Sequence, residues 1–78
     1  MTKREVLLVI HGAWGFITPD QVRVRLEPRP DRRSLYSYLL RLARQGLLER
    51  RQTRRGTLAY RLTERGRSRL RYFQQRMP

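Results

Sequence analysis

Arg32, Arg33, Ser34 and Ser37 lie along the opening turns of one predicted helix, with Arg41 further along it, and Arg54 and Arg55 stand side by side just before Gly56. A guanidinium is a planar fork that holds a phosphate or a guanine edge through two parallel hydrogen bonds. Hydroxyls near a helix start serve backbone or phosphate contacts. The chemistry on offer is therefore anion recognition. Catalysis needs paired titrating groups or a nucleophile with a base, and the six acids are dispersed along a chain with one histidine. Ser34 and Ser37 have no base near them in sequence. His11 stands at the end of an apolar helix and is expected to be a hydrogen-bonded structural imidazole, since a lone His with no Cys cannot build a metal site. Phosphate-cradling glycine patterns are missing too: the glycines stand singly at predicted turns and helix ends, Gly66 apart. No enzyme is expected, and no metal or cofactor is called for.

The charge agrees with that chemistry. The formal net charge is +13, which concentrates polyanions around the chain and opposes folding by self-repulsion. Its distribution is uneven: residues 1–28 hold four basic residues against three acidic ones, net +1, so residues 29–78 carry the other +12 of the +13. Eighteen of the nineteen basic residues are Arg, the better fork for phosphate and guanine. With 78 residues the chain is expected to be one domain, residues 1–78, close to the lower limit at which an apolar core sustains a fold. The absence of Cys removes disulfides and thiolate sites and fits a reducing, cytoplasmic setting. Residues 6–10 are the longest apolar run near the N-terminus, too short for a signal-peptide core or a membrane span. A soluble protein is expected.

These residues need elements to hold them. Thr2-Lys3-Arg4-Glu5 fits a capping box that opens a first helix, apolar all round over residues 6–10 and so expected to be covered on two sides, by the core and by a partner chain. Gly12 and Gly15 offer stops. Trp14-Gly15-Phe16-Ile17 reads as an aromatic corner with a minimal strand, Trp14 belonging to core or interface. Thr18-Pro19-Asp20-Gln21 starts a second helix, with Thr as cap and Pro at the first helical position. Residues 22–26 alternate like a strand, but Val22 and Leu26 also share a helical face, and the strong start signal favours a short helix. Pro28 and Pro30 end it. Asp31 caps a third helix over residues 31–45, with Leu35, Leu39 and Leu42 on one face and Arg33, Ser37, Arg41 and Arg44 opposite; Leu40 and Tyr36 fall between. Residues 47–51 and 57–62 form a hairpin, with Leu58, Tyr60 and Leu62 inward and Ala59 and Arg61 outward. In its loop Gly56 takes the left-handed position of a type I turn with a bulge. Thr63 caps a last helix whose narrow apolar stripe is Leu70, Phe73 and Met77.

The segment from Ser34-Leu35-Tyr36-Ser37-Tyr38-Leu39-Leu40 through Gly46-Leu47-Leu48-Glu49-Arg50-Arg51, then Tyr60-Arg61-Leu62-Thr63-Glu64-Arg65-Gly66, resembles the small winged helix-turn-helix transcription regulators, especially the PadR-like and MarR-like groups. That resemblance covers about half of the chain and implies a mainly α fold with a small β-hairpin. The helix over residues 31–45 would then enter the major groove of duplex DNA, N-terminal end first, with Arg33 and Ser37 reading bases beside Arg32, Ser34 and Arg41. The wing, residues 47–62, would follow the backbone or dip into the minor groove through Arg54 and Arg55, with Arg50, Arg51 and Arg61 as phosphate contacts on its flanks.

The expectation is a sequence-specific double-stranded DNA-binding regulator, working as a homodimer because two half-sites raise affinity and specificity together. The dimer contact expected from sequence is the stripe of Leu70, Phe73 and Met77 with part of the surface over residues 6–10. No membrane partner is implied and no small-molecule effector is assigned. Two rival readings stand beside it: an RNA-binding or ribosome-associated basic protein, which needs exposed aromatics such as Tyr36, Tyr38 or Tyr72, and a winged helix that binds only protein.

Overall fold

Every helix begins at a residue whose side chain closes the first turn. In the computed structural model, which describes residues 1–75, the order is α1 (Lys3–His11), α2 (Pro19–Val24), α3 (Arg32–Arg44), β1 (Leu48–Gln52), β2 (Leu58–Leu62) and α4 (Glu64–Gln75). Thr2 Oγ1 accepts from the Glu5 backbone N–H at 3.2 Å. Thr18 and Gln21 exchange both bonds of a capping box, at 3.2 and 3.1 Å, with Pro19 at the first helical position. Asp31 Oδ2 accepts from the Ser34 N–H at 3.1 Å, and Thr63 Oγ1 from the Gly66 N–H at 3.0 Å. Each such cap stabilises its helix by about 1 kcal/mol. The ambiguous stretch is helical only as far as Val24, with Arg25 as its C-cap; Val22 in the helix and Leu26 just beyond it are both buried.

The fold is mainly helical with one two-stranded antiparallel hairpin. The strands pair from Leu48 opposite Leu62 to Gln52 opposite Leu58. Ile17 adds one residue to the free edge of β2, exchanging two 2.8 Å backbone bonds with Tyr60. Val6, Leu7, Val22, Leu35, Leu39 and Leu42 are fully buried at the centre of a single apolar cluster that also takes in Tyr60, Leu62 and Leu70. Since α1 packs against α2, β2 and α4, while α3 packs against α2 and β1, one face of α3 lies on the core and the other remains open.

Three sequence expectations are corrected. Trp14, expected in core or interface, is fully exposed on the single chain and so lies outside the core. The bend between Gly12 and Gly15, the latter at φ 71°, turns it outward, and Phe16 packs on the hairpin instead, under the guanidiniums of Arg51 and Arg61 at 4.6 and 4.8 Å. On β2 the expected alternation fails at its start: Leu58 is 39 % exposed and Ala59 is buried. Leu58 lies outside the core cluster, whereas the small Ala59, opposite Arg51 across the hairpin, is buried. Finally, the stripe on α4 is not spare surface: Leu70 is buried and Phe73 packs against the same cluster, as do Leu8 and Val9 of α1. Helix α4 is what covers the second side of α1. Met77 lies outside the described residues.

Candidate nucleic-acid interface

The α2–α3 connection sets how α3 is presented. Leu26 anchors the connection in the core, and Arg23 Nε donates to the Pro30 carbonyl at 2.9 Å, tying α2 to the residue before the Asp31 cap. Leu35, Leu39 and Leu42 hold α3 by one face. Arg33, Ser34, Ser37, Arg41 and Arg44 are consequently placed away from the core, on the opposite side.

The sites expected from sequence differ in how free they are. Among the described residues Arg33 and Arg41 form no ion pair. Arg32 does: its Nε lies 3.5 Å from Asp20 Oδ1 at the start of α2, both side chains being largely exposed, a pairing of about 1 kcal/mol at most. The Tyr36 hydroxyl donates to the same Asp20 oxygen at 3.5 Å. Ser34 Oγ sits 3.5 Å from Asp31 Oδ2, so its hydroxyl is partly turned to the cap. Burial pushes the Tyr38 phenol up from its ordinary value, and the charge of Arg41 pulls it back; at neutral pH it is a protonated O–H.

The hairpin tip is a tight turn over residues 53–56. The Gly56 N–H donates to the Thr53 carbonyl at 2.9 Å, and the Thr53 N–H to the Thr57 carbonyl at 2.7 Å. Gly56 stands at φ 82°, in the left-handed region the bulge requires. Thr53 and Thr57 hydroxyls lie 2.6 Å apart and lock the turn from the side. Arg54 and Arg55 occupy its two central positions, exposed, with no ion pair among the described residues.

Between α3 and the hairpin lies an open groove of about 520 Å³. Tyr36, Ser37 and Leu40 form its α3 wall, Arg50, Thr57 and Leu58 its hairpin wall, and Thr18, Pro19 and Asp20 close one end. Ser37 belongs also to the shallow shelf that holds Arg32 and Arg33, and to the one with Arg33, Ser34 and Arg41. The α3 residues and the hairpin thus present themselves on one continuous surface. Of the flanking arginines only Arg50 faces this groove. Arg51 and Arg61 lie on the other side of the hairpin, where Arg61 Nε and Nη2 both reach Glu49 Oε1 at 2.8 Å and Arg51 is 3.9 Å from Oε2. Cross-strand pairing places Arg61 opposite Glu49, so the acid is engaged within the hairpin. Sequence reasoning missed Leu58 and Tyr36 as groove residues, although the exposure of Leu58 fits its place at the start of β2, next to the hairpin tip.

Among the described residues no group of three acids or histidines is placed to hold a metal, and no helix is long and apolar enough to cross a membrane. His11 is exposed at the end of α1. Compared with protein-family models, curated proteins and solved structures, the chain matches none.

Proposed function

We propose that this chain is a winged helix-turn-helix protein that binds double-stranded DNA sequence-specifically as a small cytoplasmic transcription regulator. The observation that carries the reading is the continuity of the open face of α3 with the hairpin across one groove. Helix α3 takes the place of a recognition helix, with Arg33 and Ser37 at base edges and Arg41 on phosphate. The hairpin takes the place of the wing, with Arg54 and Arg55 reaching the backbone or minor groove and Arg50 lying between the two. Arg32 and Ser34 are partly taken up by Asp20 and Asp31, and so bind less freely than Arg33 and Ser37.

A homodimer belongs to this reading on the half-site argument alone, two copies meeting two half-sites about 34–36 Å apart; the α4 stripe is used within the chain. Sedimentation at micromolar concentration, free and on duplex, tests it: two copies per selected duplex are expected.

One observation favours the RNA-binding rival. Trp14, the only tryptophan, is fully exposed and offers a stacking face to an unpaired base. Competition among duplex DNA, single-stranded DNA and RNA across a salt series decides between the two, with Trp14 emission recorded throughout. Duplex DNA winning without quenching supports the regulator; RNA winning with Trp14 quenched replaces it.

A further inference from the structure

The groove between α3 and the hairpin has an unusual lining for a surface so rich in arginine. Leu58 is 39 % exposed and Tyr36 43 %, and Leu40 is half-buried beside them. These three side chains form an apolar strip with cations on its borders: Arg33 beyond Ser37 and Arg50 on the hairpin wall. The groove's one acid, Asp20, is taken up by Arg32 and the Tyr36 hydroxyl.

We infer that this strip reads thymine methyl groups, so that the preferred duplex carries thymine at base pairs next to the one contacted by Arg33 and Ser37. The inference rests on the proposed DNA-binding reading and adds the base chemistry to it. The occupant follows from complementarity of two kinds. The bordering arginines select a polyanion, and among the groups that a duplex displays in its major groove the thymine C5-methyl is the apolar one. Ser37 shares the Arg33 shelf and the groove wall, so a base edge within reach of Arg33 has its neighbour toward the hairpin facing Leu40 and Leu58. Removing water from those side chains and a methyl together stabilises the complex, whereas a cytosine amino group placed there loses its hydrogen bond to water with nothing in exchange.

Replacing thymine by deoxyuridine deletes the methyl and leaves every hydrogen-bonding group in place, which isolates the contact. Duplexes from a random-site selection are resynthesised with each thymine in turn replaced by deoxyuridine. At one or two positions per half-site the wild-type chain should bind about fourfold more weakly, the ratio corresponding to about 0.8 kcal/mol for one buried methylene-sized group. Leu58→Ala, at a site outside the core, should bind the thymine and deoxyuridine duplexes equally; Leu40→Ala should do the same, and Arg33→Ala should keep the discrimination. Tight duplex binding with no deoxyuridine effect, or a selected site without thymine, overturns the inference and leaves the DNA-binding reading standing. Discrimination that survives both leucine variants overturns the assignment to this groove. Failure to bind any duplex overturns both.

Discussion

Gly66, in the first turn of α4, lies flat against the backbone carbonyl of Leu47, so close that a Cβ on Gly66 would overlap the oxygen. The neighbouring bonds explain the closeness. The Thr63 N–H donates to that same Leu47 carbonyl at 3.1 Å, and the Thr63 hydroxyl donates to the Gly46 carbonyl at 2.6 Å while accepting from the Gly66 N–H. The start of α4 is thereby bolted onto the turn that ends α3. Because backbone rather than a flexible side chain would have to move, Gly66→Ala is expected to cost about 3 kcal/mol, the upper part of the range for overpacking. Chemical denaturation monitored by circular dichroism should show it, and a loss under about 1 kcal/mol, the lower end of that range, would mean that α4 shifts freely.

This contact also marks where sequence reasoning stops. Caps are local: Thr18 with Gln21, or Asp31 with Ser34, lie within one helical turn, and their chemistry is visible in a string of letters. The hairpin turn is local in the same way, since Gly56 bonds back to Thr53 within the turn it closes. Gly66 is different, being dictated by Leu47, far earlier in the chain and outside its own helix. The same holds for Trp14, whose aromatic character predicts burial although a bend between two glycines and the neighbouring Phe16 send it outward. The α4 stripe was legible as apolar, but what covers Leu70 and Phe73 depends on the packing of α1, at the other end of the chain. For the candidate site, the resemblance singled out Arg33, Ser37, Arg54 and Arg55, and the structure leaves all four exposed. The engagement of Arg32 by Asp20 and of Arg61 by Glu49 needed the third dimension.

Arg33→Ala should relax base preference at one position of each half-site and cost about 1–3 kcal/mol on the best site, the range of a bidentate base contact. Non-specific affinity should fall much less. Binding of a selected and a scrambled duplex, measured side by side, checks this; equal losses on both would make Arg33 a phosphate contact.

Arg54→Ala combined with Arg55→Ala should weaken all duplexes similarly and reduce the log–log salt slope by about 2, close to one unit for each phosphate no longer neutralised. The turn itself is held by Thr53, Gly56 and Thr57, so the variant keeps its fold. Weakening confined to A/T-rich flanks would instead place these side chains in the minor groove, and an unchanged slope would remove the hairpin tip from the interface.

Asp20→Asn should strengthen binding to every duplex. The carboxylate holds Arg32 at 3.5 Å and stands at the end of the groove, where it repels phosphate. Neutralising it releases one guanidinium, so the salt slope should steepen by about 1. Both partners are mostly exposed, and fold stability should change by less than about 1 kcal/mol. Titrations at several salt concentrations measure the first quantity and denaturation the second. Weaker binding in the variant would show that the Asp20–Arg32 pair positions Arg32 rather than withholding it.

Tyr38→Phe should alter the pH dependence of stability in the alkaline range. Burial lifts the Tyr38 phenol above its ordinary value of 10.0, with the nearby Arg41 guanidinium opposing the rise. The folded chain therefore keeps this proton to higher pH than the unfolded chain does. Around and above pH 10 the unfolded state binds fewer protons than the native one, and by linkage stability falls as pH rises through that window. Well below it both states are protonated and Tyr38 contributes no slope. Thermal unfolding of wild type and Tyr38→Phe, followed from about pH 8 to about pH 11, should give a constant difference at first, then a relative loss in the wild type as its phenol ionises on unfolding. Every other group is common to the two proteins and cancels in that difference. Parallel curves across the whole range would mean that the phenol is as well solvated in the fold as in the open chain, and that Tyr38 stands clear of the core edge beside α3.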